Sequence, residues 1–147
     1  MKILVIEDND LKYELLAGFF TEVRRSDVLD RAASYQAGIL KLVNETFDFV
    51  LLDMTLPVSD LELSPVGMEW LNFGGQLVLR ECKRRKVSAK IVVVSQFKTF
   101  VRDNEEVSFE QLRAEILEDH KELVIGCVHL DRAADHWRQE ILDLIAL

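Results

Sequence analysis

Four side chains with oxygen chemistry stand where apolar runs stop. Phe47-Asp48-Phe49-Val50-Leu51-Leu52 reads as a strand buried on both faces, and it ends in Asp53, followed by Thr55 and then Pro57, which cannot extend a ladder. The apolar run Ile3–Ile6 ends in Glu7-Asp8, Ile91–Val94 ends in Ser95, and Leu123–Leu130 runs into the His129-Leu130-Asp131 region. In open α/β sheets, ligands bind just outside the carboxyl ends of the strands. If the strand order is 2-1-3-4-5, the first and third strands are neighbours, so Glu7, Asp8 and Asp53 converge. Carboxylates that close raise one another's pKa and destabilise the fold unless a cation offsets them. A hard divalent ion such as Mg2+ suits an all-oxygen set, and the backbone carbonyl of Thr55 is placed to add a ligand. An aspartate held against such an ion can attack phosphorus to give an acyl phosphate, with the Ser95 hydroxyl bonding the oxygens of the transferring group. Taken singly, Glu7 and Asp8 read as turn residues, Asp53 as a cap and Ser95 as a strand terminator. Their joint occurrence at strand ends points to a site.

The elements that must position these residues alternate. Glu7-Asp8-Asn9-Asp10 is a polar turn able to cap a helix, in which Leu11, Leu15, Phe19 and Val23, with Leu16 and Phe20 beside them, repeat at helical spacing. Val28–Ala33 is a second strand, and Ser34 caps a helix expected to turn Ala37, Leu40 and Val43 inward. The stretch 58–75, with Pro65, Trp70, Phe73 and several glycines, reads as an extended loop. Leu77, Val78, Leu79 and Cys82 mark a third helix, whose basic end Lys83-Arg84-Arg85-Lys86 suits the helix dipole as a solvated last turn. Gln96 to Val107 is read as a polar loop leading to Ser108-Phe109-Glu110-Gln111, a capping box that opens a helix carrying Phe109, Leu112 and Ile116. A last helix turns Ala134, Trp137, Ile141 and Leu144 inward. Strand and helix alternate throughout, which implies an α/β domain over 1–147 with a doubly wound parallel sheet.

Composition narrows the function. With 49% hydrophobic and 30% charged residues the chain is globular, and its net charge of −8 argues against direct nucleic-acid or anionic-membrane binding. Cys82 and Cys127 lie far apart outside any metal-binding spacing, so buried reduced thiols and a cytoplasmic location are expected. The amino-terminal run turns acidic too early for a signal peptide, and no run approaches membrane-spanning length.

The segments Lys2-Ile3-Leu4-Val5-Ile6-Glu7-Asp8-Asn9, Asp48-Phe49-Val50-Leu51-Leu52-Asp53-Met54-Thr55-Leu56-Pro57 and Lys90-Ile91-Val92-Val93-Val94-Ser95 resemble the receiver domains of two-component response regulators. The resemblance covers essentially the whole chain. It implies a flavodoxin-like (βα)5 fold of strand order 2-1-3-4-5, Asp53 as phosphoacceptor, Glu7 and Asp8 as Mg2+ ligands and Ser95 as switch hydroxyl. A histidine kinase or phosphotransfer protein would be the donor, and a downstream protein the receiver of the signal. Three features depart from the pattern. His129 or Leu130 stands where the family has a lysine at the end of the fifth strand; Gly126 or Cys127 replaces an aromatic switch residue; and the loops after Pro57 and Ser95 are long. Lys98, three residues after Ser95, is the candidate replacement cation, with protonated His129 as another.

The leading expectation is therefore a stand-alone atypical receiver that takes a phosphoryl group on Asp53 and acts through protein contacts, including a homodimer through the face of the fourth helix, fifth strand and fifth helix. It is not an enzyme beyond modifying itself and reversing that. The alternatives are a pseudo-receiver that is never phosphorylated and, below it, a Mg2+-dependent phosphohydrolase. The latter wants a general acid two residues after its nucleophile, where this chain has Thr55.

Overall fold

The computed structural model describes residues 1–57 and 74–146. Along the chain these form β1 (Lys2–Ile6), α1 (Asp10–Val23), β2 (Val28–Ala32), α2 (Tyr35–Asn44), β3 (Phe49–Leu52), α3 (Gly74–Arg85), β4 (Lys90–Ser95), β5 (Thr99–Arg102), β6 (Glu105–Ser108), α4 (Phe109–Asp119), β7 (Val124–His129) and α5 (His136–Ile145). Five strands pair in parallel in the order β2-β1-β3-β4-β7, so the expected 2-1-3-4-5 arrangement is met with β7 as the fifth strand. Alternate residues of the central strands feed two cores. Leu4, Ile6, Val50, Leu52, Ile91 and Val93 pack with α2, α3 and α4, while Ile3, Val5, Leu51, Val92 and Val94 pack with α1 and α5. Strands apolar at every position are what a sheet covered on both faces requires.

Two helix faces differ from the expected ones. In α2, Leu40 and Val43 are 64% and 54% exposed, and the buried position is Gly38. A Cβ at Gly38 would lie 2.8 Å from Ile6 Cδ1, so the helix seats its glycine on β1. Tyr35, Ala37, Ile39 and Leu42 then face the core, and Leu40 and Val43 rotate out. In α1 the inward stripe is Lys12, Leu16, Phe19 and Phe20, leaving Leu11 and Val23 exposed. A lysine in that stripe is explained by the site described below.

The stretch Gln96 to Val107 is also not an irregular loop. Thr99–Arg102 pairs antiparallel with Glu105–Ser108 around Asp103-Asn104, both at positive φ (53° and 63°). Two-residue hairpin turns favour this conformation, and Asn and Asp tolerate it best after glycine. Phe100 and Val107 bury one face of the hairpin in the core, and Arg102 grips Glu115 of α4 through two bonds of 2.7 and 2.9 Å. The capping box at Ser108 and Gln111 is present. The extended loop expected over 58–75 lies outside the described residues up to 73, Trp70 and Phe73 included, while Gly74 and Gly75 already belong to α3. Cys82 and Cys127 are free and buried, and burial pushes both thiols up to about 12, which keeps them protonated.

The start of α3 presses on the end of β3. The Gly75 N–H donates to the Met54 carbonyl at 2.9 Å, and a Cβ at Gly75 would come within 2.5 Å of the Asp53 carbonyl oxygen and 2.7 Å of Met54 Cα. Backbone atoms cannot yield as a flexible side chain would. Gly75→Ala is expected to cost about 1–3 kcal/mol in urea unfolding. Gly18→Ala, at an exposed position of α1 with nothing within 4 Å of the added Cβ, is expected to gain about 1 kcal/mol. A Gly75→Ala midpoint equal to wild type would show that no such close approach exists.

Candidate active site

The β1–β3 register places Ile6 beside Leu52, so the residues that follow, Glu7 and Asp53, emerge side by side. Backbone bonds hold them there: Asp53 N–H donates to Ile6 O at 3.1 Å and Glu7 N–H to Ala32 O at 2.9 Å. Oxygen atoms of Glu7, Asp8 and Asp53 lie within 4.8 Å of one another. Glu7 and Asp53 are buried at 2% and 5% exposure, and Asp8 is exposed at the rim. Ser95 is buried at the end of β4, where its Oγ accepts the Phe97 N–H at 3.1 Å. Thr55, half-buried, directs its backbone N–H to the Asp53 carboxylate.

The cation in this pocket is Lys12, which the sequence reading did not single out. Its side chain is 1% exposed, and its Nζ lies 2.6 Å from Glu7 Oε2, 3.0 Å from Asp53 Oδ1 and 2.7 Å from the Val94 carbonyl. Three acceptors match the three protons of an ammonium, the condition under which a buried charge is tolerated. Local structure aims it there. Asn9 caps α1 by accepting the Lys12 N–H at 2.9 Å, which sets Lys12 in the first turn directly over the strand ends. Its place one turn before Leu16, in register with Phe19 and Phe20, is the signal in the sequence: a lysine within an apolar stripe just after an acidic turn.

Lys98 is exposed instead and lines a neighbouring cleft of about 340 Å3 with Gln96, Phe97, His129 and Arg132. The His129 ring stands edge-on to Phe109, with Nε2 at 3.3 Å from the Gln96 carbonyl. At the rim, Arg132 reaches Gln96 Oε1 at 3.2 Å and Asn9 Oδ1 at 3.5 Å, and Arg31 bonds Asp10 and the Glu7 carbonyl.

Burial pushes the Glu7 carboxyl up to about 7, with Lys12 pulling it down and Asp53 adding to the rise. Asp53 is likewise raised by burial, against the pull of Lys12 and the Thr55 N–H. The donor set is all oxygen, and Asp8 faces solvent beside the buried pair. These residues therefore suit a hard divalent ion, with Lys12 offsetting part of the charge that remains.

No family model matches the sequence. The structure is similar to a CheY-like response regulator receiver domain protein from Methanospirillum hungatei JF-1, with a TM-score of 0.66 and 15% identity over 99% of this chain and 90% of that one. It is also similar to the response regulator TrrA of Thermotoga maritima, solved with Mg2+ and BeF, with a TM-score of 0.63 and 19% identity over 97% of each chain. The fold is that of receiver domains. Among sequences, this receiver-like chain is 28% identical to the uncharacterized protein y4jR of Sinorhizobium fredii over 96% of its own length and 94% of that protein's. It is 26% identical to the Detocs response regulatory protein DtcB of Enterobacter cloacae, over 99% and 98%.

The electrostatics of this pocket predict how it responds to losing its ammonium. Lys12→Met leaves two buried carboxylates without a cation and is expected to cost about 3–5 kcal/mol in metal-free urea unfolding near neutral pH. An acid whose folded pKa exceeds its unfolded value loses stability as pH rises between the two. For Glu7 in the wild type that window runs from 4.5 to about 7. Without Lys12 both carboxyls rise further, so the deficit of the variant should be larger at about pH 8 than at about pH 5. A deficit independent of pH would show that Lys12 acts by packing alone.

Proposed function

We propose that the chain is a phosphoacceptor signalling module of two-component type, taking a phosphoryl group on Asp53 and acting through protein–protein contacts. The observation that carries this reading is the buried Asp53 carboxylate at the end of β3, set among Glu7, Asp8 and Lys12 and beside a hydroxyl-terminated β4. Glu7, Asp8, Asp53 and the Thr55 backbone carbonyl would hold Mg2+, which when bound neutralises charge on the transferring group. Asp53 supplies the nucleophilic oxygen, and burial keeps water from competing for it. Ser95 lies next to the pocket as the hydroxyl available to an oxygen of the phosphoryl group.

A histidine kinase or phosphotransfer protein is the donor this reading requires. The likeness to the Detocs response regulatory protein and to the Mg2+–BeF form of TrrA supports it. Output passes to a downstream protein, with the face of α4, β7 and α5 as the surface for a homodimer. The acidic net charge of −8 fits a cytoplasmic protein that touches neither nucleic acid nor membrane directly. One observation favours a second reading, the pseudo-receiver: Lys12 already occupies Glu7 Oε2 and Asp53 Oδ1, so part of the pocket's need for a cation is met from within.

Incubation of the full chain with Mg2+ and phosphoramidate or acetyl phosphate, read by intact mass, separates the two. The expected result is a single phosphoryl adduct, lost in Asp53→Asn and without Mg2+. Absence of any adduct favours the pseudo-receiver, and an adduct that survives Asp53→Asn removes Asp53 as the acceptor.

A further inference from the structure

We propose that Lys12 is a catalytic residue of this pocket: delivered from α1, it engages the phosphoryl group on Asp53 in place of a cation from the end of β7. The inference rests on the phosphoacceptor reading and adds to it the residue that stabilises the transferred group. Strand β7 offers no such cation, since it ends in His129, which is turned to Phe109 and the Gln96 carbonyl, and is followed by buried Leu130. Around the pocket, Arg132 is engaged with Asn9 and Gln96, Arg31 with Asp10 and the Glu7 carbonyl, and Lys98 is exposed. Among the described residues, Lys12 is the cation in contact with the Asp53 carboxylate.

The three contacts of Lys12 are unequal in a way that suits exchange. The short ones go to Glu7 at 2.6 Å and the Val94 carbonyl at 2.7 Å, and the long one goes to Asp53 at 3.0 Å. Glu7 and Val94 hold the ammonium whatever becomes of the third contact. In the transfer, an Asp53 carboxylate oxygen forms the new O–P bond while the P–N bond of phosphoramidate breaks. The electron pair of that bond leaves on nitrogen, which departs as ammonia. Asp53 loses its carboxylate charge, and the phosphoryl group brings about −1.5 to −2 a short distance further out. A four-carbon side chain can turn its third proton to those oxygens with α1 unmoved. Glu7 is then a positioning residue for Lys12 as well as a proposed Mg2+ ligand.

The test measures adduct formation with phosphoramidate and Mg2+ in wild type, Lys12→Met and Lys12→Arg, alongside the affinity of each for Mg2+ alone. Lys12→Met should form adduct at least about ten-fold more slowly, equivalent to about 1.4 kcal/mol in barrier. Its Mg2+ affinity should be unchanged or tighter, since no ammonium competes for Glu7 and Asp53. Lys12→Arg, which keeps the charge, should recover part of the rate. A folded Lys12→Met that reacts within about two-fold of wild type overturns the inference while leaving Asp53 as acceptor. Failure of the wild type to form any adduct overturns both. If Lys12→Met does not fold, the ammonium signal of Lys12 in 15N-lysine-labelled wild type decides: a shift on adduct formation supports the contact, and an unmoved signal overturns it.

Discussion

The ion triad of Lys12, Glu7 and Asp53 is the constraint to which the surrounding structure answers. A sheet apolar on both faces brings β1 and β3 side by side, and the residues that follow them are a glutamate and an aspartate. Two carboxylates in that position are expensive, as the upward displacement of both groups by burial shows. The ammonium of Lys12 answers that cost while touching the ends of β1, β3 and β4 at once. To put it there, α1 must start at Asn9 and turn its Lys12–Leu16 face down, and Leu11 and Val23 are exposed as a consequence. The helix is oriented by a charge as much as by its hydrophobic stripe.

That explains which parts of the structure were legible in the sequence. The parallel sheet follows from runs such as Ile3–Ile6 and Ile91–Val94, because a strand with no polar position has only one environment available, while its order came from the resemblance to receiver domains. The gathering of Glu7, Asp8 and Asp53 follows from where those runs stop. Lys12 escaped because a periodicity reading looks for apolar residues, and Leu11, one position away, completed an equally regular stripe. The α2 face was misread for a related reason: Leu40 and Val43 look like core residues until Gly38 is seen to be the point of closest approach to Ile6. In both helices the position that sets the rotation is not itself hydrophobic.

The hairpin of β5 and β6 was hidden differently. Its turn is Asp103-Asn104, without the glycine that usually announces such a bend, and its strands are rich in charge. What holds it is tertiary: Phe100 and Val107 reach the core, and Arg102 clasps Glu115. Local propensity cannot anticipate partners that distant in the chain.

The placement of that hairpin bears on how a change at Asp53 would travel. The connection from β4 to α4 is here an ordered, two-stranded element, tied at its far end to α4 and at its base to the pocket. The base tie is Ser95, whose Oγ accepts the Phe97 N–H, and Phe97 in turn stands edge-on to Phe100. A ligand oxygen that drew the Ser95 hydroxyl toward Asp53 would compete with the Phe97 carbonyl, 3.5 Å from Oγ, for the same proton. It would thereby loosen a residue that is exposed on one side and leans on the hairpin's buried aromatic on the other. Phe97 and Phe100 form the aromatic pair nearest Ser95 in the chain. The hairpin is therefore a second element tied to Ser95, beside β7, after which the Leu130 N–H donates to the Ser95 carbonyl at 2.8 Å.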